Sequence, residues 1–594
     1  MEGSVEPAEF FDFGNPQVAA LPPHLKKFIV NQHYELYTPA DHALWRYVMR
    51  QNYSYLKDAA YYPYIPGLRM AGLTIEKIPS LQEMNDALGE IGWGAVTVDG
   101  FIPPAAFMEF QARRVLVIAA DIRKLEHIEY TSAPDIIHES AGHAPIISDT
   151  RYNQYLSYLG HIGTKALFSS RDYELYEAIR QLSILKELPD ASEKEVNDAE
   201  EKVLFLQKNM GEPSEMALLS RLQWWSVEYG LIGPTENPKI YGAGLLSSIG
   251  ESSWCMRPEV KKLPYTIDAI NYSYDITQPQ PQLFVTPTFE NLIDVLKQFE
   301  DQMAWRKGGP GSIQKAIASR NICTAVLDSG VQLTGVFSEL KTDSAGNILI
   351  FGTSGPSAVC TNDKVVEHLG PSTLPNGFIT MIGKFKGQTD LPYLITADRL
   401  TSMGLIVGKN CRIEMEHGAV IEGTFSSAFY EDGRLLLLNF NQSKISHRDG
   451  IFETRQFEFF TLAPATSVVS VFNGVADKTI FEEDLYVSRE RTRKVNYSAH
   501  DLQYCEIFSQ IREIRENKKE LRNLELVLNN LDKNFPKDWL CTLEIAELLH
   551  ENAEMKNLNH RVRERLSLLS NSNQELTKLI KDGLSIVDQG LIFE

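Results

Sequence analysis

The chain has 594 residues, of which 43% are hydrophobic and 23% charged, so it is long enough for several domains with cores of their own. Its formal net charge of -20 argues against a nucleic-acid or anionic-membrane partner, because a basic surplus that could neutralise phosphates is lacking. Six scattered cysteines without a C-x-x-C pair favour reduced thiols over a disulfide framework.

The first predicted elements are a flexible leader at 1–22 and then two helices. The leader lacks the basic start and apolar core of a signal peptide, and the sequence contains no apolar run as long as a membrane span. One helix is expected to open at Thr38-Pro39, a cap followed by proline at the first position, and another at the Ser80 cap. We therefore expect a cytoplasmic protein without a membrane partner.

The next stretch carries Phe107 and Arg123. Phe107 lies in a helix predicted after Pro103-Pro104, where a core aromatic is the ordinary interpretation. The run from Arg113 to Ile118 is apolar and rich in β-branched residues, which predicts a buried strand, and Arg123 follows it in a loop. An arginine in a loop is usually solvated, although its guanidinium group is well shaped to bind a carboxylate.

The sequence H-E-S-A-G-H at 138–143 places two imidazoles five positions apart, with the Glu139 carboxylate beside the first. Such a pair can hold a metal, but two ordinary histidines explain the pattern as well. On an α-helix, five positions put the second imidazole about 140° round from the first. We therefore expect the helix to end or loosen at Gly142, which brings His143 back toward His138. A third ligand must come from elsewhere in the chain.

Beyond the histidines the chain is predicted to be helical as far as Leu231. A charged helical hairpin is expected near 172–210, on the surface, where an insertion costs little free energy. Glu228 stands in the last of these helices among tryptophan, valine, tyrosine and leucine. A carboxylate in such surroundings is costly unless it is paired or bound to a cation, which favours Glu228 as the third metal ligand.

The character of the sequence changes after the glycine-rich linker at 308–311. Between 318 and 490, short β-patterned runs alternate with turn sequences such as Glu431-Asp432-Gly433, which predict hairpins and an antiparallel β domain. From 501 to 594, apolar residues recur at helical spacing, which predicts a helical hairpin. Its charged faces are either solvated or form a homo-oligomer contact, and the sequence leaves both interpretations open.

Three motifs, in this order, resemble the pterin-dependent aromatic amino acid hydroxylases, most closely the bacterial phenylalanine 4-monooxygenases. They are P-D-I-I-H-E-S-A-G-H at 134–143, W-W-S-V-E-Y-G-L at 224–231 and Y-G-A-G-L-L-S-S at 241–248. The resemblance implies a mainly α catalytic domain at 23–309, followed by the β domain and the helical segment as a C-terminal extension. The separation of His143 from Glu228 is longer than in that family, and the excess coincides with the predicted hairpin at 172–210.

The resemblance also implies a reaction. A triad of two histidines and one carboxylate leaves three neighbouring coordination positions open, as in non-haem Fe(II) oxygenases. The family implies Fe(II), a tetrahydropterin of the tetrahydrobiopterin type and O2 as cofactors and partners, with one oxygen atom transferred to the aromatic ring and the other to the pterin. We expect the substrate to be L-phenylalanine and the product L-tyrosine.

Individual residues take roles from the resemblance. His138, His143 and Glu228 match the metal ligands, and Glu139 matches a glutamate near the pterin and the iron-bound waters. Phe107 falls where an aromatic ring stacks on the pterin. The expected substrate contacts come from residues at matching positions in the three motifs and upstream of them, namely Arg123, Thr131, Trp224, Ser247 and Ser248.

Other functions remain open at this point. A tyrosine or tryptophan hydroxylase of the same family is one alternative, and an inward-facing Asp275 in the loop at 271–278 would favour tyrosine. A zinc-dependent hydrolase with Glu139 as general base is another, against which the five-residue spacing and the Y-G-A-G-L-L-S-S motif argue. A catalytically idle scaffold is a third, and the complete set of ligands argues against it.

Overall fold

The residues described by the computed structural model are 12–98, 100, 102–129, 135–187, 192–274, 279–479, 498–516, 518–550 and 552–590. Their α-helices are α1 (Pro16–Ala19), α2 (Pro23–Lys26), α3 (Pro39–Ala59), α4 (Tyr64–Met70), α5 (Leu81–Gly89), α6 (Pro104–Ala112), α7 (Ala144–Ile147), α8 (Thr150–Gly163), α9 (Ser170–Glu187), α10 (Glu193–Lys208), α11 (Glu215–Gln223), α12 (Ala243–Leu246), α13 (Ile249–Trp254), α14 (Phe289–Glu300), α15 (Ala304–Lys307), α16 (Gly309–Ser319), α17 (Ala397–Ser402), α18 (Ala499–Arg515), α19 (Leu524–Asn534), α20 (Leu540–Leu548), α21 (Lys556–Ser572) and α22 (Gln574–Asp588). Two further segments, Ile137–His143 and Trp224–Glu228, are π-helical.

The strands form four sheets within the described residues. In chain order they are β1 (Ile29–Val30), β2 (Gly94–Val98), β3 (Val115–Ala119), β4 (Leu231–Ile232), β5 (Lys239–Ile240), β6 (Lys261–Pro264), β7 (Gln282–Thr286), β8 (Ile322–Leu327), β9 (Val331–Thr342), β10 (Ile348–Thr361), β11 (Lys364–Val365), β12 (Ile379–Met381), β13 (Asn410–Glu414), β14 (Ala419–Glu431), β15 (Arg434–His447), β16 (Arg455–Leu462) and β17 (Val468–Asn473). Their orders are β1-β2-β3, β5-β4-β7-β6, β11-β10-β9-β8-β17 with β12 on β10, and β13-β14-β15-β16.

The predicted architecture, a mainly helical region followed by antiparallel β-structure and then helices, is confirmed. The predicted turn at Glu431-Asp432-Gly433 joins β14 to β15 in antiparallel register. Asp432 and Gly433 both have positive φ, which is the backbone that Asp-Gly provides in a two-residue hairpin turn.

The chain divides into two compact units that interleave along the sequence. The first unit contains Met1–Gly160, Arg221–Ile293 and Val487–Glu594, and the second contains His161–Ser220 and Asp294–Tyr486. The helices α9 and α10, which fall in the region of the expected hairpin, therefore lie in the unit that also contains the β-sheets after residue 320. The consecutive boundaries expected from the sequence, with the hairpin as an insertion, stay a prediction.

The described residues between 498 and 590 contain five α-helices, α18 to α22, where the sequence analysis expected a helical hairpin. Asn573 lies between α21 and α22, and its side chain caps α22. The apolar residues noted at helical spacing are almost all buried inside the first unit, among them Ile507, Ile511, Ile514, Leu524, Leu528 and Leu531. Their spacing thus serves packing within the chain, and oligomerisation stays a prediction.

A buried cluster of charges fixes these C-terminal helices to α3 within the first unit. The guanidinium group of Arg46 donates to Glu547 at 2.6 and 2.7 Å and to Glu544 at 3.1 Å. Arg515 donates to Glu547 at 3.0 Å, and Arg50 also pairs with it. Arg46 is 6% exposed and also pairs with Glu76, so the loss of one of its three carboxylate partners leaves its buried charge less well compensated and destabilises the fold.

The charge cluster predicts an acid-sensitive stability. Burial alone raises the pKa of Glu547, but the hydrogen bond from Arg46 and the surrounding arginines outweigh it and lower that pKa to about 2. Because the folded-state pKa lies below the usual 4.5, the contribution of Glu547 to stability is complete above about pH 4.5 and is lost as the pH falls toward about 2. The shift corresponds to about 3 kcal/mol.

Urea unfolding followed by circular dichroism at about pH 6 and about pH 3 measures this contribution. We expect Glu547→Gln to be destabilised at the higher pH and to lose less stability on acidification than the unsubstituted chain. Glu564→Gln, at an exposed position of α21, is the matched control and should behave like the unsubstituted chain. Equal stability of both variants at the higher pH contradicts the role given to the cluster.

Among the described residues, no helix combines the length and the apolar character needed to cross a membrane.

Candidate metal centre

The two histidines of the H-E-S-A-G-H motif lie on the π-helical turn Ile137–His143. A π-helix closes its hydrogen bonds between residues five apart, so it brings positions i and i+5 together, which an α-helix does not. The ring centroids of His138 and His143 are 5.0 Å apart and their Nε2 atoms 3.3 Å apart. A widened turn, rather than the expected end of a helix, thus explains the five-residue spacing.

Gly142 allows the start of α12 to pack closely against this turn. A Cβ atom added at Gly142 would lie 2.7 Å from the carbonyl oxygen of Ala243, at the start of α12. Real side chains do not approach a backbone oxygen so closely, so only glycine lets α12 pack on the π-helical turn. The residue that follows α12, Ser247, contacts His138, so this approach also positions the histidine.

Glu228 completes a group of three potential ligands. It ends the second π-helical segment, Trp224–Glu228, and its two carboxylate oxygens lie 3.3 Å from Nε2 of His138 and 3.5 Å from Nε2 of His143. One atom of each residue lies within 4.8 Å of the others. The predicted third ligand, a carboxylate from another helical segment that faces both imidazoles, is therefore present in the structure.

The three groups perturb one another strongly. Burial lowers the pKa of His143 to about 4. Burial acts the same way on His138, but the hydrogen-bonded carboxylate of Glu228 outweighs it and raises the pKa of His138 to about 9. Burial favours the neutral form of Glu228, yet the charges of the two histidines hold its pKa below the usual value. A negative carboxylate facing two imidazole nitrogens attracts a cation.

Ser247 fixes the tautomer of His138. Its hydroxyl group donates to the carbonyl oxygen of Ala243 at 2.8 Å, so its oxygen is free to accept from Nδ1 of His138 at 3.0 Å. When His138 binds a metal, a proton kept on Nδ1 by this contact leaves the lone pair of Nε2 available for that metal. A partner of this kind typically orients a metal-bound histidine. The sequence analysis placed Ser247 among the substrate contacts and missed this role.

Asp135 links the metal site to Arg123. Its carboxylate accepts from Nε and Nη2 of Arg123 at 2.8 and 2.9 Å and from the backbone N–H of His138 at 3.0 Å. Arg123 is 4% and Asp135 3% exposed. Burial raises the pKa of Asp135, but Arg123 outweighs it and holds that pKa below the usual value. The sequence analysis passed over Asp135, although its position three residues before His138 is typical of a capping carboxylate.

Arg123 retains donors for another anion. Nε and one N–H of Nη2 serve Asp135, and Nη1 lies 3.5 Å from the carbonyl oxygen of Ser247. A guanidinium group has five N–H donors, so two remain. Its role toward a substrate carboxylate stays a prediction.

Trp224 stands one turn before Glu228 within an aromatic cluster. It stacks on Tyr229 at 4.7 Å and on Tyr274 at 4.2 Å between ring centroids. Tyr229 donates a hydrogen bond of 2.6 Å to Glu251, a buried carboxyl group whose pKa burial raises to about 7. The stacking holds Trp224 in place beside the metal ligand. The sequence analysis did not predict that Tyr274 or Glu251 lies near the site, because both residues are outside the three motifs.

The other predicted site residues are placed as follows. The Glu139 side chain is 12% exposed, its carboxylate lies 3.8 Å from Nε2 of His143, and desolvation raises its pKa to about 8. Ser248 caps α13 and donates to the carbonyl oxygen of Glu129 at 3.2 Å. Phe107 is half-buried on α6 against the apolar cluster around β2 and β3. Thr131 lies outside the described residues, as does Asp275.

The donor set fits iron. Two imidazole nitrogens and one carboxylate oxygen on one side of a site are the ligands that non-haem Fe(II) oxygenases use, with the opposite positions left for other ligands. The side chains of His138 and Glu228 retain 21% and 15% exposure, so the triad opens toward solvent on one side. A structural zinc site is typically closed by four protein ligands instead.

Comparison with known proteins decides the family. A protein-family model described as "biopterin-dependent aromatic amino acid hydroxylase" matches residues 32–175 and 193–344, a region that contains all three motifs and the triad. Residues 32–344 belong to this hydroxylase family. Iron and biopterin are accordingly its cofactors, and the triad is the iron site of a pterin-dependent monooxygenase, as expected from the sequence. The interval between the two matched segments lies within the helical region predicted at 172–210.

Several relatives of this hydroxylase domain are known. Phenylalanine-4-hydroxylase of Pseudomonas aeruginosa is 27% identical over 270 residues, which cover 45% of this chain and 85% of that protein. Phenylalanine-4-hydroxylase of Chromobacterium violaceum is 26% identical over 292 residues, covering 47% and 84%. A crystal structure of the latter enzyme with iron(III) and 7,8-dihydrobiopterin matches with 24% identity and a TM-score of 0.37, covering 46% of this chain and 86% of that one.

Proposed function

We propose that this chain hydroxylates L-phenylalanine to L-tyrosine, with Fe(II) on His138, His143 and Glu228 and with a tetrahydrobiopterin-type cofactor and O2. The observation that carries the proposal is the meeting of three ligands from two π-helical turns inside the family's own motifs. The relatives at 26–27% identity are named for phenylalanine, which supports this choice among the family's substrates.

Iron and the reduced pterin, when bound, supply the activation of O2 and the electrons for its reduction, with one oxygen atom going to the ring and the other to the pterin. The chain's residues position the partners. Ser247 holds the proton on Nδ1 of His138, so that Nε2 faces the metal position. Asp135 holds both Arg123 and the backbone of His138, which couples a candidate carboxylate anchor to the metal ligand.

The substrate pocket in this proposal is built around the aromatic ring of the amino acid. Trp224 contributes an apolar wall next to Glu228, held by its stacks with Tyr229 and Tyr274. Arg123, Thr131 and Ser248 bind the amino acid end of the substrate. Glu139 and Phe107 are assigned to the pterin side. An apolar wall of this kind suits a bare phenyl ring.

The proposal predicts the order of substrates. Burying the phenolic hydroxyl of tyrosine without a partner costs about 1–3 kcal/mol, so phenylalanine should be preferred roughly ten- to a hundredfold in kcat/KM. We expect Trp224→Phe to lower the preference for phenylalanine over the larger tryptophan. Trp305→Phe, a tryptophan of the other unit, is the matched control and should leave the preference unchanged.

Measuring kcat/KM for phenylalanine, tyrosine and tryptophan at saturating tetrahydrobiopterin tests the order. A higher value for tyrosine or tryptophan contradicts the choice of phenylalanine and leaves the iron and pterin assignments intact. Absence of hydroxylation with all three amino acids, in protein carrying one iron per chain, contradicts the proposed activity itself.

A further inference from the structure

The position of Trp224 depends on two tyrosine rings. The planes of Trp224 and Tyr229 are inclined by 28° at a centroid distance of 4.7 Å, and those of Trp224 and Tyr274 by 9° at 4.2 Å. Both contacts are close stacks, which leave the indole little freedom to rotate. Whatever holds the tyrosines therefore also holds Trp224.

Tyr229 is held through its backbone, its ring and its hydroxyl group. The backbone N–H donates to the carbonyl oxygen of Trp224 at 2.9 Å. The ring packs against Gly244, where an added Cβ atom would lie 3.1 Å from Cε2 of Tyr229. The hydroxyl group donates to Oε2 of Glu251 at 2.6 Å, a length typical of a hydroxyl group bound to a carboxylate. The far end of the tyrosine ring is thus fixed by Glu251.

Glu251 belongs to the first turn of α13, the helix that Ser248 caps. The backbone N–H of Glu251 donates to Oγ of Ser248 at 3.3 Å, and this Oγ donates to the carbonyl oxygen of Glu129 at 3.2 Å. The residue is buried. The hydrogen bond between Tyr229 and Glu251 therefore joins the neighbour of Trp224 to the helix that begins at Ser248.

We propose that Tyr229 and Glu251 are positioning residues, whose hydrogen bond fixes Trp224 relative to Ser248 and so makes the site selective for a phenyl over an indole side chain. The inference rests on the proposed function, in which Trp224 bounds the ring of the substrate and Ser248 binds its amino acid end.

The geometry gives the hydrogen bond this role for a simple reason. An amino acid that is anchored at one end places its ring at a fixed depth, so the site can select ring size only while the wall around the ring stays in place. Stacked rings can slide over one another, whereas a hydrogen bond has a preferred length and direction. Without the bond, Tyr229 and Trp224 can shift together and admit a larger ring.

Titration calorimetry of L-phenylalanine and L-tryptophan into the full, iron-loaded chain without O2 measures this selectivity in the absence of turnover. Tyr229→Phe removes the hydroxyl group and keeps the ring. We expect the ratio of the affinity for phenylalanine to that for tryptophan to fall about threefold or more in this variant, because a loosened wall discriminates less between ring sizes. The variant should still hold one iron per chain.

Tyr47→Phe is the matched control. Tyr47 and Tyr229 are both 5% exposed and lie in the first unit, and the hydroxyl group of Tyr47 donates to the carbonyl oxygen of Leu579 at 2.8 Å. Each variant loses one buried hydrogen bond, so thermal unfolding should show a similar loss of stability in both. Only Tyr229→Phe should change the affinity ratio. An equal change in Tyr47→Phe overturns the proposal, because the ratio then follows stability alone.

Variants of Glu251 test the other end of the hydrogen bond. Glu251→Gln keeps an acceptor for the hydroxyl group and should retain the affinity ratio, whereas Glu251→Leu should lower it as Tyr229→Phe does. The double variant Tyr229→Phe/Glu251→Leu should lower the ratio no further, because both substitutions break the same bond. Additive effects of the two substitutions contradict the proposal. Iron content reports whether each variant keeps the metal centre.

An unchanged affinity ratio in Tyr229→Phe overturns the proposal, and so does an unsubstituted chain that binds neither amino acid. A chain that shows the predicted affinity ratios but hydroxylates none of the aromatic amino acids leaves the positioning role standing and refutes only the proposed function.

Discussion

Replacing His138, His143 or Glu228 with alanine is expected to abolish both stoichiometric iron binding and turnover. Each residue supplies one of three protein ligands, and the two that remain hold Fe(II) poorly against water. Glu228→Ala removes a ligand and also removes the negative charge of the triad. Metal analysis of the purified variants measures the iron, and hydroxylation of phenylalanine with tetrahydrobiopterin measures turnover.

His127→Ala and Glu236→Ala are the matched controls for these variants. Both residues are exposed, lie in the first unit and belong to no ligand group in the described residues. They should retain iron and activity. Full iron content and activity in Glu228→Ala would show that the third ligand is a different residue.

Asp135→Ala is expected to destabilise the protein by about 3–5 kcal/mol and to weaken iron binding. The substitution leaves the buried guanidinium group of Arg123 without its bidentate partner, and an uncompensated buried charge carries a cost of this size. It also removes the acceptor of the His138 backbone N–H, which loosens the π-helical turn at its start. Urea unfolding and iron titration measure the two effects separately.

Glu516→Ala is the matched control for Asp135→Ala. Glu516 pairs with Arg512 on the surface of α18, and such an exposed pair contributes about 0.5 kcal/mol or less. The double variant Arg123→Met/Asp135→Leu should recover most of the stability, because it removes both charges, but it should lose activity, because it also removes the proposed carboxylate anchor Arg123. Equal stability of Asp135→Ala and Glu516→Ala would refute the structural role given to Asp135.

The identity of the metal ligands could be predicted from the sequence, but their geometry could not. The H-E-S-A-G-H motif and the buried setting of Glu228 pointed to the triad, while the five-residue spacing pointed to a helix end at Gly142. The structure has a π-helical turn there instead. Ala243 packs closely against Gly142 in this turn, and local sequence patterns do not contain a contact between residues so far apart in the chain.

The supporting residues were harder still to predict. The role predicted for Ser247 as a substrate contact stays a prediction, whereas its contact with Nδ1 of His138 was not predicted, because only the fold shows it. Asp135 is part of the first motif and lies three residues before His138, but the sequence analysis did not predict that it caps the helical turn. The apolar spacing of the C-terminal helices was read correctly as helical, whereas the pairing of Arg46 with Glu544 joins positions too distant for any periodicity to reveal.

The measurement that tests the central claim most directly is the fate of isotope-labelled dioxygen. The iron-loaded chain is supplied with L-phenylalanine, tetrahydrobiopterin and heavy-oxygen O2 in ordinary water, and the amino acid product is analysed by mass spectrometry. We predict tyrosine that carries one heavy oxygen atom, formed only when iron and the reduced pterin are both present. Product oxygen derived from water, or hydroxylation that proceeds without the pterin or in Glu228→Ala, would contradict the account.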